Sequence, residues 1–229
     1  MAVERSADEA KQEYIGAMGD VLGSLYHALW QEVAWLHLKW HEYVELFGTK
    51  ESRIRLINRA APTFFRIVEH VMRDEIFIHI TRLTDPPMSG KWQHLSILRL
   101  APLIDDPVAS ARVAALAGDA GVASAFCRDW RNRRIAHLDL DLVLNAGAEP
   151  LEPASREKTR LAIAAINNVL DAVSLHYLIG TSLFDWAGHH GGALSLLYII
   201  DDGVRADTAR RARLEHGELD AGDWQARDL

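Results

Sequence analysis

Residues 20–47 read DVLGSLYHALWQEVAWLHLKWHEYVELF, and their pattern determines the fold class. The apolar side chains recur at alternating steps of three and four: Leu22, Leu25, Leu29, Val33, Leu36, Trp40, Tyr43 and Phe47. Because this spacing places them on one face of an α-helix, we predict one long amphipathic helix. It should stop at Phe47–Lys50, where Gly48 is placed to cap it.

Glycine and proline mark the boundaries on either side of this helix. Upstream glycines weaken the helical turns and predict either a separate short helix or a frayed end: Gly16, Gly19 and Gly23. Downstream, Pro62 interrupts a helical region, which predicts a short helix to about Ala60 and a longer one from Pro62 to about Leu83. The second of these should face a core with Phe64 or Phe65, Val68, Val71 or Met72, Ile76, Ile80 and Leu83.

The second half of the chain has the same character. Met88–Trp92 should be a loop and Leu95–Leu103 a short helix. Val108–Leu116 and Val122–Ala136 should be helical, with Gly118–Gly121 as a loop or a weak joint. Ser155 is placed to start another helix, which buries Ile163, Ile166, Leu170, Val173 and Tyr177. A turn is predicted next at Gly188–Gly192, followed by the apolar segment Ala193–Ile200. The charged tail from Ala206 onward should be a solvated helix or partly disordered.

Strand patterns, internal repeats and low-complexity tracts are missing from the sequence. We therefore predict an all-α fold, a multi-helix up-down bundle with a carboxy-terminal helical extension. The expected organisation is a single domain over residues 1–229, with its core at about 20–180 and the extension at about 191–218.

Composition limits the classes of function. The net charge of −7, from 25 basic and 32 acidic residues, argues against a broad nucleic-acid surface but allows a focused basic pocket. Cys127 is the only cysteine, so a disulfide framework is excluded and a reducing, cytoplasmic setting is expected. We expect no membrane segment, because no apolar run approaches the ~18 residues that a span needs.

The histidine pairs and the cysteine are weak candidates for metal binding or catalysis. His37 and His41 share a helix face with Glu45, but without further ligands a packed or surface pair is favoured over a metal site. The adjacent His189–His190 should be a loop pair, and Cys127 should lie in the core. Nucleophile elbows and phosphate-binding glycine loops are missing, so neither a metal nor a cofactor is predicted.

Residues 129–137, DWRNRRIAH, concentrate three arginines, an asparagine and a histidine. A guanidinium is a permanently charged, fork-shaped phosphate binder, and an imidazole can take and give a proton near neutral pH. The alternative is an exposed helix face laced with ion pairs. A second polar cluster, Arg82–Asp85, with Asp74 before it, could cap its own helix or line the same cleft.

The spacing Arg131–Asn132–three residues–Ala136–His137 resembles the motif of HEPN domains, which are all-helical ribonucleases and nucleotide-linked modules. The wider chain is similar to the AbiU-type branch, associated with abortive phage infection. The similarity covers roughly residues 20 to 205, through the landmarks Glu45–Gly48, Ala61–Phe65, Thr81–Pro86 and residues 129–137.

This resemblance implies a metal-independent endoribonuclease that acts as a homodimer, with both motifs in one cleft. Arg131 would hold the phosphate, and His137 would act as general base or acid. Asn132 would orient the scissile group or the histidine. Further substrate-binding candidates are Arg134, Arg133, Arg128 and Arg82. RNA is the expected partner, and an antitoxin or regulatory protein could restrain the activity. A non-catalytic HEPN-like RNA-binding or protein-interaction module is the alternative.

The spacing within the motif raises a geometric question. On a regular helix, Arg131 and His137 would point about 120° apart, whereas Arg133 and Arg134 lie closer to the face of His137. The helix could end or bend before His137, two subunits could build the site together, or Arg134 could contribute. A composite dimer site answers the question most economically. Asp139 stands where some HEPN toxins carry a tyrosine that is modified by a partner nucleotidyltransferase, so that mode of neutralisation is not expected.

Overall fold

A computed structural model describes residues 6–145, 147–177, 179–180 and 191–224. The α-helices there are α1 (Ala7–Met18), α2 (Asp20–Phe47), α3 (Glu51–Ala60), α4 (Pro62–Thr84), α5 (Pro107–Ala123), α6 (Ala125–Trp130), α7 (Leu140–Val143), α8 (Arg156–His176) and α9 (Ala193–Glu215). Strands β1 (Met88–Ser89) and β2 (Trp92–Gln93) form one small antiparallel ladder. The predicted all-α class is confirmed, and α9 is the carboxy-terminal extension.

The long helix predicted from residues 20–47 is confirmed as α2, and the preceding segment is the separate helix α1. Gly19 breaks the chain between them, with φ of 80°. Gly23 lies in α2 where the backbone of α1 passes closely, so that a Cβ at this position would be 2.6 Å from Ile15 Cα. Glycine is therefore required at Gly23 because a side chain has no room there, and at Gly19 because the backbone has a positive φ.

We expect Gly23→Ala to lower the free energy of unfolding by about 2–3 kcal/mol, because the clash is with backbone that cannot rotate away. Gly16→Ala is the matched control, since a Cβ there meets nothing within 4 Å. It should change stability by less than about 1 kcal/mol and in the stabilising direction. Urea denaturation followed by circular dichroism measures both; equal stability of the two variants would contradict this packing.

The boundary at Pro62 is confirmed, since α3 ends at Ala60 and α4 starts at Pro62. Of the alternatives on α4, Phe65 is buried whereas Phe64 is exposed. Ser155 caps α8 as predicted, its hydroxyl accepting from the Lys158 amide at 3.1 Å. Four of the five predicted core positions of that helix are buried: Ile163, Ile166, Leu170 and Val173. The fifth prediction is wrong, since α8 ends at His176 and Tyr177 follows it as a half-buried residue.

Three predictions of local structure are wrong. α5 continues through Gly118 and Gly121 because its small buried side chains pack against α8; the joint is at Ser124 instead. The region around Pro102 forms two short 3₁₀ helices, Ile97–Arg99 and Ala101–Leu103, rather than one continuous helix, since proline removes a backbone donor. The loop after Pro87 contains the β1–β2 hairpin, whose turn includes Gly90 with φ of 57°.

The chain forms two compact units, and the division falls within α2 and α4. The first comprises Met1–His41 and Val71–Trp186, and the second comprises Glu42–His70 and Ala187–Leu229. The first unit buries Tyr26, Leu29, Leu36, Ile76, Ile80, Phe126, Cys127, Ile166 and Leu170, among others. Burial raises the pKa of the Cys127 thiol, as expected of a core cysteine. The single-domain organisation stays a prediction.

The second unit is built from α3 packed against α9. Arg59 Nη2 donates to Thr208 Oγ1 at 2.5 Å, and the Glu42 carboxylate accepts from the Ala193 amide at the start of α9. The charged tail is helical to Glu215, and Asp207 pairs with Arg210 and Arg211. Most of the predicted turn at 188–192 lies outside the described residues, and so do both His189 and His190. Among the described helices, none has the length and apolarity to cross a membrane.

Candidate functional site

The arginine-rich motif lies in the first unit, where a helix comes to an end. α6 stops at Trp130, and residues 131–135 form a π-helical turn in which the Ala136 amide donates to Arg131 O at 2.8 Å. The chain then bends, and Asp139 caps α7 by accepting from the Leu142 amide at 3.1 Å. Helical geometry therefore ends before His137, so the 120° separation of a regular helix does not apply. Such π turns occur often at functional sites.

Asp85, just after α4, holds Arg131 of the motif and also Arg128, which directly precedes the motif. Arg128 Nε lies 3.1 Å from Asp85 Oδ1, and Arg131 Nη1 contacts Asp85 Oδ2. Arg128 also donates to the Thr84 carbonyl at 3.3 Å. All three charged side chains are roughly one-fifth to one-third exposed. The Arg82–Asp85 cluster thus contacts the motif through the Asp85 carboxylate, which pairs with Arg131.

This cluster carries surplus positive charge, because one carboxylate is shared by two guanidinium groups. Arg131 Nε also donates to Asn132 Oδ1 at 3.0 Å, and Asn132 is exposed. The neighbouring residue thereby fixes the direction of the guanidinium. The two arginines keep unused donors in an arrangement suited to a phosphate.

Arg133, by contrast, is used inside the protein. Its guanidinium lies 3.5 Å from Asp129 Oδ1 and 3.3 Å from Asp139 Oδ2, and donates to the Glu149 carbonyl at 2.6 Å. The Leu142 amide and Arg133 hold the pKa of Asp139 below its usual range. Contact of Arg133 with a substrate would require these bonds to break, so the geometry gives it a structural role.

Trp130 carries cations on its ring. The guanidinium carbon of Arg134 lies 5.5 Å from the ring centroid, and that of Arg73 lies 5.1 Å away. Trp130 Nε1 donates to the Glu152 carbonyl at 2.9 Å, which ties the ring to the following loop. Arg134 is exposed and has no carboxylate partner among the described residues. It is therefore the motif cation most open to an external anion.

His137 is exposed, and its ring has no hydrogen-bond partner in the part of the chain that the structure describes. Four large apolar side chains follow it and are 59–75% exposed: Leu138, Leu140, Val143 and Leu144. An imidazole in this setting is free to reach a ligand. The apolar surface beside it is of the kind that marks a protein interface.

A family model described as HEPN AbiU2 matches residues 20–189, well over half of the chain. The chain belongs to the AbiU2 family of HEPN domains. The match includes both the Thr81–Pro86 landmark and the whole motif, and it confirms the resemblance seen in the sequence. HEPN membership relates this protein to abortive infection and is compatible with ribonuclease activity. Neither a curated protein nor a solved structure matches the chain.

The AbiU2 structure brings together only some of the residues singled out from the sequence. Arg128, Arg131 and Asn132 form one connected group, whereas Arg82 pairs with Glu75 at 2.9 Å. Sequence reasoning named Arg82–Asp85 as a cluster that could line the same cleft, but it did not give Asp85 the role of holding Arg128 and Arg131, and it did not identify Trp130 as a cation platform. The position of Asp85 in the Thr81–Pro86 landmark was the available signal for the first; the signal for the second was the four-residue spacing of Trp130 and Arg134.

A metal site receives no support from the described residues of this AbiU2 protein, since no three His, Cys, Asp or Glu side chains come together there. Burial lowers the pKa of His37 to about 4, which is typical of a packed histidine. His37 and His41 are both half-buried. The helix face that they share with Glu45 has the character of a packed surface.

Proposed function

We propose that this AbiU2 HEPN protein is a metal-independent endoribonuclease of a phage-defence or toxin–antitoxin system. It acts in the cytoplasm as a homodimer and is restrained by an antitoxin or regulatory protein. One observation carries the proposal: Arg131 is oriented by its ion pair with Asp85 within a cluster of surplus positive charge, and His137, which has no hydrogen-bond partner among the described residues, follows just beyond the π turn. The family match supports it.

The proposed reaction needs only the groups of this motif and the adjacent Arg128. Arg131 and Arg128 bind the scissile phosphate and stabilise the charge that develops on its oxygens. His137 accepts the proton of the ribose 2′-hydroxyl, whose oxygen attacks the phosphorus. The bond from phosphorus to the 5′-oxygen breaks, and that oxygen takes up the proton that the His137 imidazole accepted from the 2′-hydroxyl. The products are a 2′,3′-cyclic phosphate and a 5′-hydroxyl.

The test is incubation of the purified chain with total RNA in EDTA. We expect cleavage, with products that a polynucleotide kinase can label at the 5′-hydroxyl end without prior phosphatase treatment. DNA of the same sequence should stay intact, because it lacks the 2′-hydroxyl. RNA binding without cleavage would instead support the non-catalytic module, and activity that EDTA abolishes would overturn metal independence.

The exposed apolar residues after His137 support the proposed dimer, since a second copy would cover them beside the motif. We expect Leu140→Asp with Leu144→Asp to convert a dimer to a monomer in light scattering and to lower cleavage at least tenfold. Val108→Asp alters another exposed apolar residue of the first unit and should do neither. A wild-type monomer at micromolar concentration would contradict the composite site.

A further inference from the structure

A cavity of about 450 Å³ lies beside the motif, within the first unit. Asp85 lines this cavity and also holds Arg128 and Arg131, so the cavity adjoins the proposed phosphate site. The other polar residues that line it are Glu32, His79, Arg82, Gln93 and His94. Volumes of this order are typical of pockets that enclose a small molecule.

The lining of this cavity includes the side chain of His79, whose buried ring nitrogens lack hydrogen-bond partners among the described residues. The residue is only 1% exposed, and neither ring nitrogen has a hydrogen-bond partner among the described residues. Nε2 lies 2.9 Å from Glu32 Oε2, but the two groups are not aligned as a hydrogen bond. Because buried polar groups are normally hydrogen-bonded, a ligand that supplied partners here would be stabilised.

The charge state of His79 sets what such a ligand must offer. Burial lowers the pKa of His79 to about 4, and the positive charges of Lys39 and Arg82 contribute. The ring is therefore neutral at pH 7 and presents one donor and one acceptor. Beside it, the Glu32 carboxylate is 48% exposed and accepts only, whereas the Gln93 amide can donate and accept.

We infer that this cavity binds a guanine base of the RNA substrate, next to the scissile phosphate held by Arg131. Guanine places two adjacent N–H donors, at N1 and N2, where one carboxylate can accept both. Its O6 and N7 acceptors match the donors of an imidazole and an amide. The other RNA bases do not present two adjacent donors. Reading unstacked bases by their edges is the usual mode of RNA recognition. That the base belongs to RNA rests on the proposed function.

Calorimetric titration of the full chain with GMP, AMP, CMP and UMP tests this assignment. We expect GMP to bind about tenfold or more tightly than each of the others. Glu32→Gln should remove the preference, because its amide NH₂ faces the N–H edge of guanine. Glu157→Gln, an exposed carboxylate on α8, is the control and should keep it. Circular dichroism checks that both variants fold.

The outcomes separate this inference from the proposed function. Equal or undetectable binding of the four nucleotides by wild type overturns the guanine pocket, even if RNA is cleaved. A GMP preference that survives in Glu32→Gln overturns it as well. Selective GMP binding by a protein that cleaves no RNA would support the guanine pocket and contradict the proposed ribonuclease activity. If both hold, cleavage sites in RNA should lie beside guanosine.

Discussion

His137→Ala should abolish RNA cleavage, with an expected loss of about 10²–10⁴-fold in rate. The imidazole is exposed, lacks a hydrogen-bond partner among the described residues and lies beyond the end of the helix, so its removal should leave the fold intact. The measurement is single-turnover cleavage of a labelled RNA, with thermal unfolding in parallel. Unchanged unfolding together with lost cleavage would assign His137 to proton transfer.

His70→Ala provides the matched control, since it removes another exposed histidine far along the sequence from the motif. It should cleave at the wild-type rate. Arg131→Ala should lose about 10²–10³-fold, because it removes both a phosphate ligand and a source of charge stabilisation. Cleavage that persists at the wild-type rate in His137→Ala or in Arg131→Ala would refute the assigned site.

The fold was largely predictable because its decisive signals are local. The apolar spacing along residues 20–47 and the missing amide of Pro62 act within a few residues of the boundaries that they set. Gly118 and Gly121 misled the prediction, since packing of α5 on α8 outweighs a cost of about 1 kcal/mol for each glycine. Local propensity cannot report such long-range compensation.

The sequence singled out residues of the candidate site, but it did not predict their arrangement. Arg131 and His137 follow from the motif, whereas the π turn that separates them has no signature in residue types. The pairing of Arg131 with Asp85 joins residues 46 positions apart and depends on how α4 and α6 are packed. It is a property of tertiary structure, and so is the contact of Arg73 with the Trp130 ring.

Asp85→Asn should lower the turnover of RNA cleavage by about 10–10²-fold while RNA binds more tightly. The carboxylate orients Arg131 and Arg128, and a small misplacement of a catalytic group can cost a factor of this size. Removing the negative charge leaves two unneutralised guanidiniums, which favours binding of a polyanion and steepens its dependence on salt. A fall in both kcat and KM distinguishes a positioning role from simple loss of folded protein, which would lower the apparent kcat and leave KM unchanged.

Asp74→Asn is the matched control, because Asp74 is also a partly exposed carboxylate paired with one arginine, Arg73, on α4. It should leave both kcat and KM near wild type. Both variants should lose no more than about 1–3 kcal/mol of stability, the cost of leaving a partly buried charged hydrogen bond unmade. If Asp85→Asn cleaved RNA at the wild-type rate, Arg131 would be oriented adequately without its carboxylate, and the surplus charge alone would account for phosphate binding.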